Sequence, residues 1–197
     1  MNSLKDSKTK DNLMRAFAGE SQARNRYTFG ASLSKNQNLE VLYRLFNYTA
    51  DQEKAHAWIF YNHLKELSGQ SITIDAGYPV DVYNDLFTTL KTSKEHEYEE
   101  HDKIYKEFGK TAREEGFIAV ANSFDKIAEI EKVHGDRFSR YANKVESNTL
   151  FRSISDEKWI CLNCGHVHTS TEAPKACPVC QYPQGYFILY SDSPFEN

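Results

Sequence analysis

Two short motifs of the form Glu-x-x-His carry the residue types that bind transition metals. Glu53 precedes His56 by three residues, and Glu131 precedes His134 by three. On a helix this spacing puts both side chains of a pair on one face, one turn apart. Carboxylate and imidazole together suit iron, manganese or zinc. One such pair is common by chance in charged helices, whereas two pairs with partner glutamates at matching depth indicate a specific metal site.

Two further glutamates stand at matching distances from these motifs. Glu20 precedes Glu53 by 33 residues, and Glu97 precedes Glu131 by 34. A polar turn lies midway in each interval, at residues 35–38 and 114–116. Two antiparallel helical hairpins would therefore bring the four glutamates to the same depth. Residues 69–80 would connect the hairpins, and Asp81 is a candidate N-cap for the third helix.

Helical periodicity extends from residue 9 to about residue 148, where Gly and Pro are rare. Four apolar stripes recur there, and each is acidic at its middle. A solvated helix face explains one glutamate, but it does not explain four core stripes that all carry one. Burying unpaired carboxylates costs hydration energy, which a shared multivalent cation offsets. The pattern predicts a four-helix bundle of the ferritin-like type, which holds two irons or two manganese ions.

Three residues near this predicted centre have two interpretations each. Glu100 has Ala23 as its counterpart in the first hairpin, so it is either a seventh ligand or a solvated or supporting carboxylate. Tyr27 and Tyr105 lie near the stripes at the depth of the metal. They either hydrogen-bond the ligand carboxylates or simply pack in the core. The remaining bundle histidines are interpreted as surface or supporting groups; they are His63, His96 and His101.

A second segment carries all four cysteines of the chain. Cys161 and Cys164 form one Cys-x-x-Cys pair, and Cys177 and Cys180 form another, with 12 residues between the pairs. This spacing indicates a four-thiolate knuckle, and it does not decide between zinc and one iron. We expect a metal-knuckle domain over residues 151–197, after a bundle domain over residues 1–150. Aromatic residues near the cysteines either shield the metal or fill the small core; they are Trp159, Tyr182, Tyr186 and Phe187.

Composition narrows the class of protein. The 197-residue chain has a net charge of −4, and its clustered cysteines are unlike those of a secreted disulfide protein. The first residues are polar and no apolar run is long enough for a membrane span, so a soluble cytoplasmic protein is expected. Residues 155–197 carry five acidic and two basic side chains. That negative charge argues against a nucleic-acid partner.

Over essentially its whole length the chain resembles the rubrerythrins. The resemblance rests on residues 16–27 (AFAGESQARNRY), 50–56 (ADQEKAH), 112–116 (AREEG), 159–165 (WICLNCG) and 177–180 (CPVC). It implies a mainly α protein in which a ferritin-like bundle precedes a small rubredoxin-like domain. It also implies a di-iron centre, one iron at the four cysteines, and a homodimer in which one subunit's tail approaches the other's di-iron site.

The resemblance implies roles for individual residues. The bundle ligands would be Glu20, Glu53, His56, Glu97, Glu100, Glu131 and His134, and the cysteines would hold the tail iron. Glu100 matches the family residue that an iron exchanges for the histidine matching His56 when the centre is reduced. Residues 95–98 also align in a second register, which would put Lys94 at a carboxylate position and is rejected. Gln181 departs from free-standing rubredoxins, which usually have Gly after the last cysteine.

The expected function is that of a non-haem di-iron peroxidase. It would reduce hydrogen peroxide to water and protect against oxidative stress. Electrons would come from an external donor, a rubredoxin or an NAD(P)H-dependent reductase, and pass through the tail centre. The alternatives are a ferroxidase or iron-storage protein, and a binding module whose zinc-ribbon tail docks protein or nucleic acid. Zinc can replace iron at the four cysteines.

Overall fold

The computed structural model describes residues 3–194, and most of them are helical. The helices are α1 (Lys8–Asn36), α2 (Glu40–His63), α3 (Leu86–Glu99), a π-helical segment (Glu100–Ile104), α4 (Tyr105–Glu114) and α5 (Ile118–Glu146). The strands are β1 (Arg152–Cys161), β2 (Val167–Glu172) and β3 (Phe187–Leu189). Since α3, the π-helical segment and α4 run on without a break, they form one bundle helix. The predicted mainly α, four-helix fold class is confirmed.

The helices pair as two antiparallel hairpins, α1 with α2 and the third bundle helix with α5. Both turns fall where the sequence places them, after Asn36 and after Glu114. Each hairpin has one close approach at a glycine. A Cβ on Gly30 would lie 2.9 Å from the ring of Phe46, and a Cβ on Gly135 would lie 2.6 Å from the ring of Tyr98. Aromatic rings therefore lie directly against helix backbone in both hairpins.

The segment between the hairpins corrects one prediction. Asp81 is not the N-cap of the third helix, because α3 begins at Leu86 and Asp85 caps it. The Asp85 carboxylate accepts a hydrogen bond at 2.7 Å from a backbone N–H of the first turn. Asp81 instead binds side chains of two helices. Its Oδ2 lies 2.8 Å from Arg26 and 2.9 Å from His96. Local sequence does not decide which of the two aspartates caps the helix, since each is a good capping residue.

Two apolar cores lie on either side of a polar layer. One core includes Tyr27, Phe46 and Phe138, and the other includes Phe60, Tyr105 and Phe124. The buried glutamates and histidines lie between them. This is the arrangement expected from stripes that are apolar at their ends and acidic at their middle. Within residues 3–194 no helix has both the length and the apolar character needed to cross a bilayer.

The C-terminal segment folds as a three-stranded antiparallel sheet in the order β2-β1-β3. Trp159, Cys161, Cys177 and Phe187 form a small core of its own. Ile160 and Ile188 face the other way and join the first core of the bundle. The division of the chain at residue 150 stays a prediction, and residues 1, 2 and 195–197 of the two expected domains lie outside the described part.

Candidate metal centres

Six of the seven predicted bundle ligands come together in two groups. Each group offers four ligand atoms that all lie within 4.8 Å of one another. The first group is Glu20, Glu53, His56 and Glu131, and the second is Glu53, Glu97, Glu131 and His134. All six residues are buried. Glu53 and Glu131 belong to both groups, so the two groups are adjacent and share two carboxylates.

The sharing is visible atom by atom. Glu53 places Oε2 3.1 Å from Nδ1 of His56 and Oε1 2.9 Å from Nδ1 of His134. Glu131 places Oε1 3.0 Å from the same atom of His56 and Oε2 2.9 Å from that of His134. Each of these carboxylates therefore directs one oxygen to each histidine. The imidazole rings are nearly parallel, with centroids 5.5 Å apart. The arrangement is that of two neighbouring cation sites bridged by two carboxylates.

Unsatisfied polar atoms show that the residues fit metal ions. Buried polar atoms in proteins almost always have a hydrogen-bond partner, and lacking one costs free energy. Among the described residues, several atoms of the two groups have none; they are Oε2 of Glu20, Oε1 of Glu53, Oε2 of Glu97, both carboxylate oxygens of Glu131 and both ring nitrogens of His134. Some contacts between imidazole nitrogens and carboxylate oxygens in this layer, as short as 2.9 Å, thus lack the geometry of a hydrogen bond. Cations between these atoms would satisfy them.

The electrostatics of this layer reflect the crowding of carboxylates. Burial, together with the charges of Glu131 and Glu53, raises the pKa of Glu20 well above its ordinary value. Burial and the charge of Glu53 raise the pKa of Glu97 to about 8. Burial acts against charged histidine, but Glu131 and Glu53 outweigh it and raise the pKa of His134 to about 12. The layer therefore holds protons that metal ions would displace.

Both predicted supporting tyrosines contact a predicted ligand carboxylate. The hydroxyl of Tyr27 donates to Oε1 of Glu97, and the hydroxyl of Tyr105 donates to Oε1 of Glu20 at 2.5 Å. Their rings also belong to the two apolar cores. The sequence left hydrogen bonding and core packing as alternatives, whereas the structure shows that each tyrosine does both.

Glu100 belongs to neither group of ligand atoms found among the described residues. It opens the π-helical segment, and its Oε1 lies 4.0 Å from the position that a Cβ on Gly19 would take. It also lines a cavity of about 300 Å³. Nothing in the sequence signalled the π-helical segment, which is a feature common at functional sites. The ligand role of Glu100 stays a prediction.

The four cysteines meet in a third group. Sγ of Cys161 lies 3.7 Å from Sγ of Cys180, and Sγ of Cys164 lies 3.7 Å from Sγ of Cys177. These distances leave room for one ion at the centre of a tetrahedron of thiolates. The free sulfur atoms and the absence of disulfides among the described residues agree with this donor set. Trp159 and Phe187 pack beside the site, whereas Tyr182 is exposed.

Two matching knuckles build the cysteine site. The N–H of Gly165 donates to the carbonyl oxygen of Cys161 at 2.8 Å, and the N–H of Gln181 donates to that of Cys177 at 2.9 Å. Both donor residues have positive φ, +76° for Gly165 and +62° for Gln181. A backbone N–H of Tyr182 donates to Cys180 and lowers the pKa of that thiol to about 6. Such N–H···S bonds stabilise the thiolate that a metal requires.

Comparisons with known proteins agree with both sites. The model of the rubrerythrin family matches residues 11–142, and that of the rubrerythrin rubredoxin-like domain matches residues 159–188. A rubrerythrin of Clostridium perfringens is 41% identical, covering 98% of this chain and 100% of that protein. A rubrerythrin of Porphyromonas gingivalis is 42% identical over 94% of this chain and 91% of that protein.

Solved structures extend the comparison to three dimensions. Fully reduced nigerythrin, described as all ferrous, superposes with a TM-score of 0.62 at 28% identity, covering 96% of this chain and 92% of that one. The bacterioferritin of Desulfovibrio desulfuricans has a TM-score of 0.65 at 23% identity, covering 72% and 82%, which shows the shared fold. The predicted cofactors are thereby confirmed as a carboxylate/histidine di-iron site and a four-cysteine rubredoxin-like site.

Proposed function

Because the chain belongs to the rubrerythrin family, we propose that it reduces hydrogen peroxide to water at the bundle centre, with electrons supplied through its four-cysteine domain. Membership of the family supports the conclusion that the chain is a di-iron oxidoreductase that acts in oxidative stress. The proposal adds three points to what family membership supports: the substrate, the electron route and a cytoplasmic location. The balance is one peroxide, two electrons and two protons for two molecules of water.

The observation that carries the proposal is the pair of carboxylates that face both histidines. Glu20, Glu53, His56 and Glu131 would hold one iron, and Glu53, Glu97, Glu131 and His134 would hold the other. Ferrous ions held by these residues would supply the two electrons that cleavage of an O–O bond requires. The shared carboxylates fix the two sites side by side, so that one small substrate can meet both.

The surrounding residues orient the side chains of this centre and exclude bulk water from it. The four glutamates of the two groups and His134 are at most 1% exposed, and His56 is 5% exposed. Tyr27 and Tyr105 hold the outer carboxylates of Glu97 and Glu20 in fixed orientations. Hydrogen bonds of this kind orient metal ligands and tune the metal. Glu100 lies at a cavity wall outside both groups, a position that supports its proposed role as a ligand in one redox state only.

The tail supports the electron-transfer part of the proposal. A four-thiolate iron exchanges single electrons, and its potential depends on exposure and on N–H···S bonds. Cys164 is exposed while Cys161 and Cys177 are buried, so the site has one accessible edge. We propose that an external rubredoxin or NAD(P)H-dependent reductase delivers electrons there. We also propose a homodimer in which the tail of one subunit serves the bundle of its partner.

Stopped-flow mixing of the reduced protein with peroxide tests the function. The bundle centre is expected to oxidise faster with hydrogen peroxide than with dioxygen, and Glu131→Gln should abolish the fast phase by removing a shared carboxylate. Glu129→Gln is the matched control, because Glu129 is an exposed glutamate on the same helix. Oxidation by dioxygen as fast as by peroxide, with many irons retained per chain, would instead indicate a ferroxidase or an iron store.

A further inference from the structure

A cavity of about 300 Å³ lies on the bundle beside the metal layer. It lies between α1, the segment that joins the two hairpins, and the third bundle helix. Glu100 and Tyr105 form its inner wall. The hydroxyl of Tyr105 donates to Oε1 of Glu20, a predicted ligand. The inner end of the cavity is therefore one side chain away from the metal-binding carboxylates.

A short stretch of the connecting segment, which we name the strap (residues 75–81), covers this cavity. Arg15 on α1 donates from Nε to the carbonyl oxygen of Asp75 at 3.0 Å. Arg26, three helical turns further along α1, donates to the carboxylate of Asp81 at 2.8 Å. Both arginines lie on one face of α1, because their spacing of 11 residues is close to three full turns. The strap is thus fastened to α1 at both ends.

Tyr78 lies at the centre of the strap, above Gly19 of α1. Its hydroxyl donates to the carbonyl oxygen of Arg15 at 2.9 Å. A Cβ on Gly19 would lie 3.8 Å from Cε1 of Tyr78 and 4.0 Å from Oε1 of Glu100. The absent side chain of Gly19 therefore leaves the gap between the strap and Glu100. Glycine inside a helix costs about 1 kcal/mol relative to alanine, so its use in the middle of α1 requires a compensating reason.

We propose that this cavity is the entry route to the metal centre, and that Tyr78 and Gly19 set its width to exclude hydroperoxides bulkier than hydrogen peroxide. The proposal rests on the proposed function for the identity of the substrate. The lining is mixed, with apolar side chains such as Ile104 and Phe108 beside polar ones, so a small polar molecule finds hydrogen-bond partners along the route. The charged and polar lining residues include Arg15, Gln22, Arg26, His96, Glu99 and Glu107. A buried metal layer also needs an entry path for its ligands.

The test uses azide as a probe of the oxidised full-length protein, followed by the absorbance of its ferric complex. A residue that only narrows a route changes the association and dissociation rates by the same factor and leaves Kd unchanged. We expect Tyr78→Ala to raise both azide rates about tenfold, equivalent to ~1.4 kcal/mol of barrier. Gly19→Ala should lower both rates, and its new methyl meets only ordinary contacts, so the fold is retained.

Val82→Ala is the control. Val82 lies on the same connecting segment and is 85% exposed, and it does not line the cavity. Tyr78→Ala should also react with tert-butyl hydroperoxide faster than the native chain does. Azide rates that match those of the Val82→Ala control, or a changed Kd without paired rate changes, would overturn the proposal. Paired rate changes in a protein that fails to reduce peroxide would retain the route and reject the proposed function.

Discussion

The hydroxyl oxygen of Tyr105 lies 2.5 Å from Oε1 of Glu20, and Tyr105 is also part of the cavity wall. One residue thus connects the space open to small molecules with a carboxylate of the metal centre. Tyr27 holds Glu97 in the same way on the other side of the layer. The two outer carboxylates are therefore each held by a tyrosine, while the two inner ones, of Glu53 and Glu131, each face both histidines.

Replacing Tyr105 by Phe removes one donor and keeps the ring. The ring should still pack against Phe60, whose centroid lies 5.4 Å away, so the fold is expected to be retained. Glu20 would lose its orienting hydrogen bond, and affinity for metal in the bundle should fall about 10- to 100-fold. Competition with a chelator measures this affinity. Tyr98→Phe is the control, because its hydroxyl bonds Asp136 at the surface, and an equal loss in both variants would refute the prediction.

Replacing Glu100 by Ala should separate metal content from reactivity. Because Glu100 lies outside both ligand groups, the variant should still hold two irons in the bundle. Its reaction with peroxide should slow by roughly 10- to 100-fold, as expected when a group that tunes a metal is removed. Metal analysis and stopped-flow kinetics on one sample check both parts. Glu95→Ala, an exposed position on the same helix, is the control, and unchanged kinetics in Glu100→Ala would mean that Glu100 is only a solvated side chain.

Replacing Gly185 by Ala should weaken the contact between the tail and the bundle. A Cβ on Gly185 would lie 1.8 Å from the backbone oxygen of Asn38, so one backbone must move. Overpacking of this kind costs about 1–3 kcal/mol. Denaturant unfolding and proteolysis of residues 147–151 report the weakened contact, while the four-cysteine spectrum should persist. The Cβ of Gly77→Ala meets no atom within 4 Å, so this variant should unfold and be cleaved as the native chain is. Equal resistance of both variants to proteolysis would contradict the expected clash.

Replacing Gln181 by Gly should stabilise the cysteine site. Gln181 has a φ of +62°, a left-handed conformation that costs a residue with a Cβ about 1–2 kcal/mol. Glycine adopts it freely, although it loses more entropy on folding. The net expectation is slower release of the tail metal to a chelator. Gly165→Ala, at the matching position of the other knuckle with a φ of +76°, should accelerate release; a slower release there would show that φ is not the cause.

Glu115 provides a prediction about pH. Its carboxylate accepts the N–H groups of Lys8 and Thr9, at 3.0 and 2.8 Å, and so caps α1 from the turn that follows α4. Partial burial would raise the pKa of Glu115, but these bonds and the hydroxyl of Thr9 outweigh it and lower the pKa. The stabilisation is therefore present above the unfolded pKa of about 4.3 and is lost as the pH falls through the folded value.

Glu115→Gln should accordingly lower the free energy of unfolding by about 1 kcal/mol at pH 7, the usual contribution of a helix cap. The difference from the native chain should shrink below about pH 4. Denaturant unfolding at several pH values measures it. Glu114→Gln is the control, since that side chain is 66% exposed. A difference that stays constant down to acidic pH would contradict the predicted role of the charge.

The bundle could be predicted because its signals are local and repeated. Each Glu-x-x-His pair lies on one helix face whatever the partner helix does, and a turn midway in each interval sets the depth of Glu20 against Glu53. The N-cap prediction failed at Asp81 for the opposite reason. Asp81 and Asp85 are equivalent as capping residues, and only the contacts of Asp81 with Arg26 and His96 assign them different roles.

The sequence by itself determined the donor types, the helical faces and the two metal-binding segments, because these follow from helix periodicity and from cysteine spacing. Only the tertiary structure decided which atoms meet. That Glu53 and Glu131 each face both histidines depends on how two hairpins rotate and pack against each other. That Glu100 borders a cavity and Tyr78 covers Gly19 depends on the path of an irregular segment. Such contacts join residues far apart in the chain, and no local pattern encodes them.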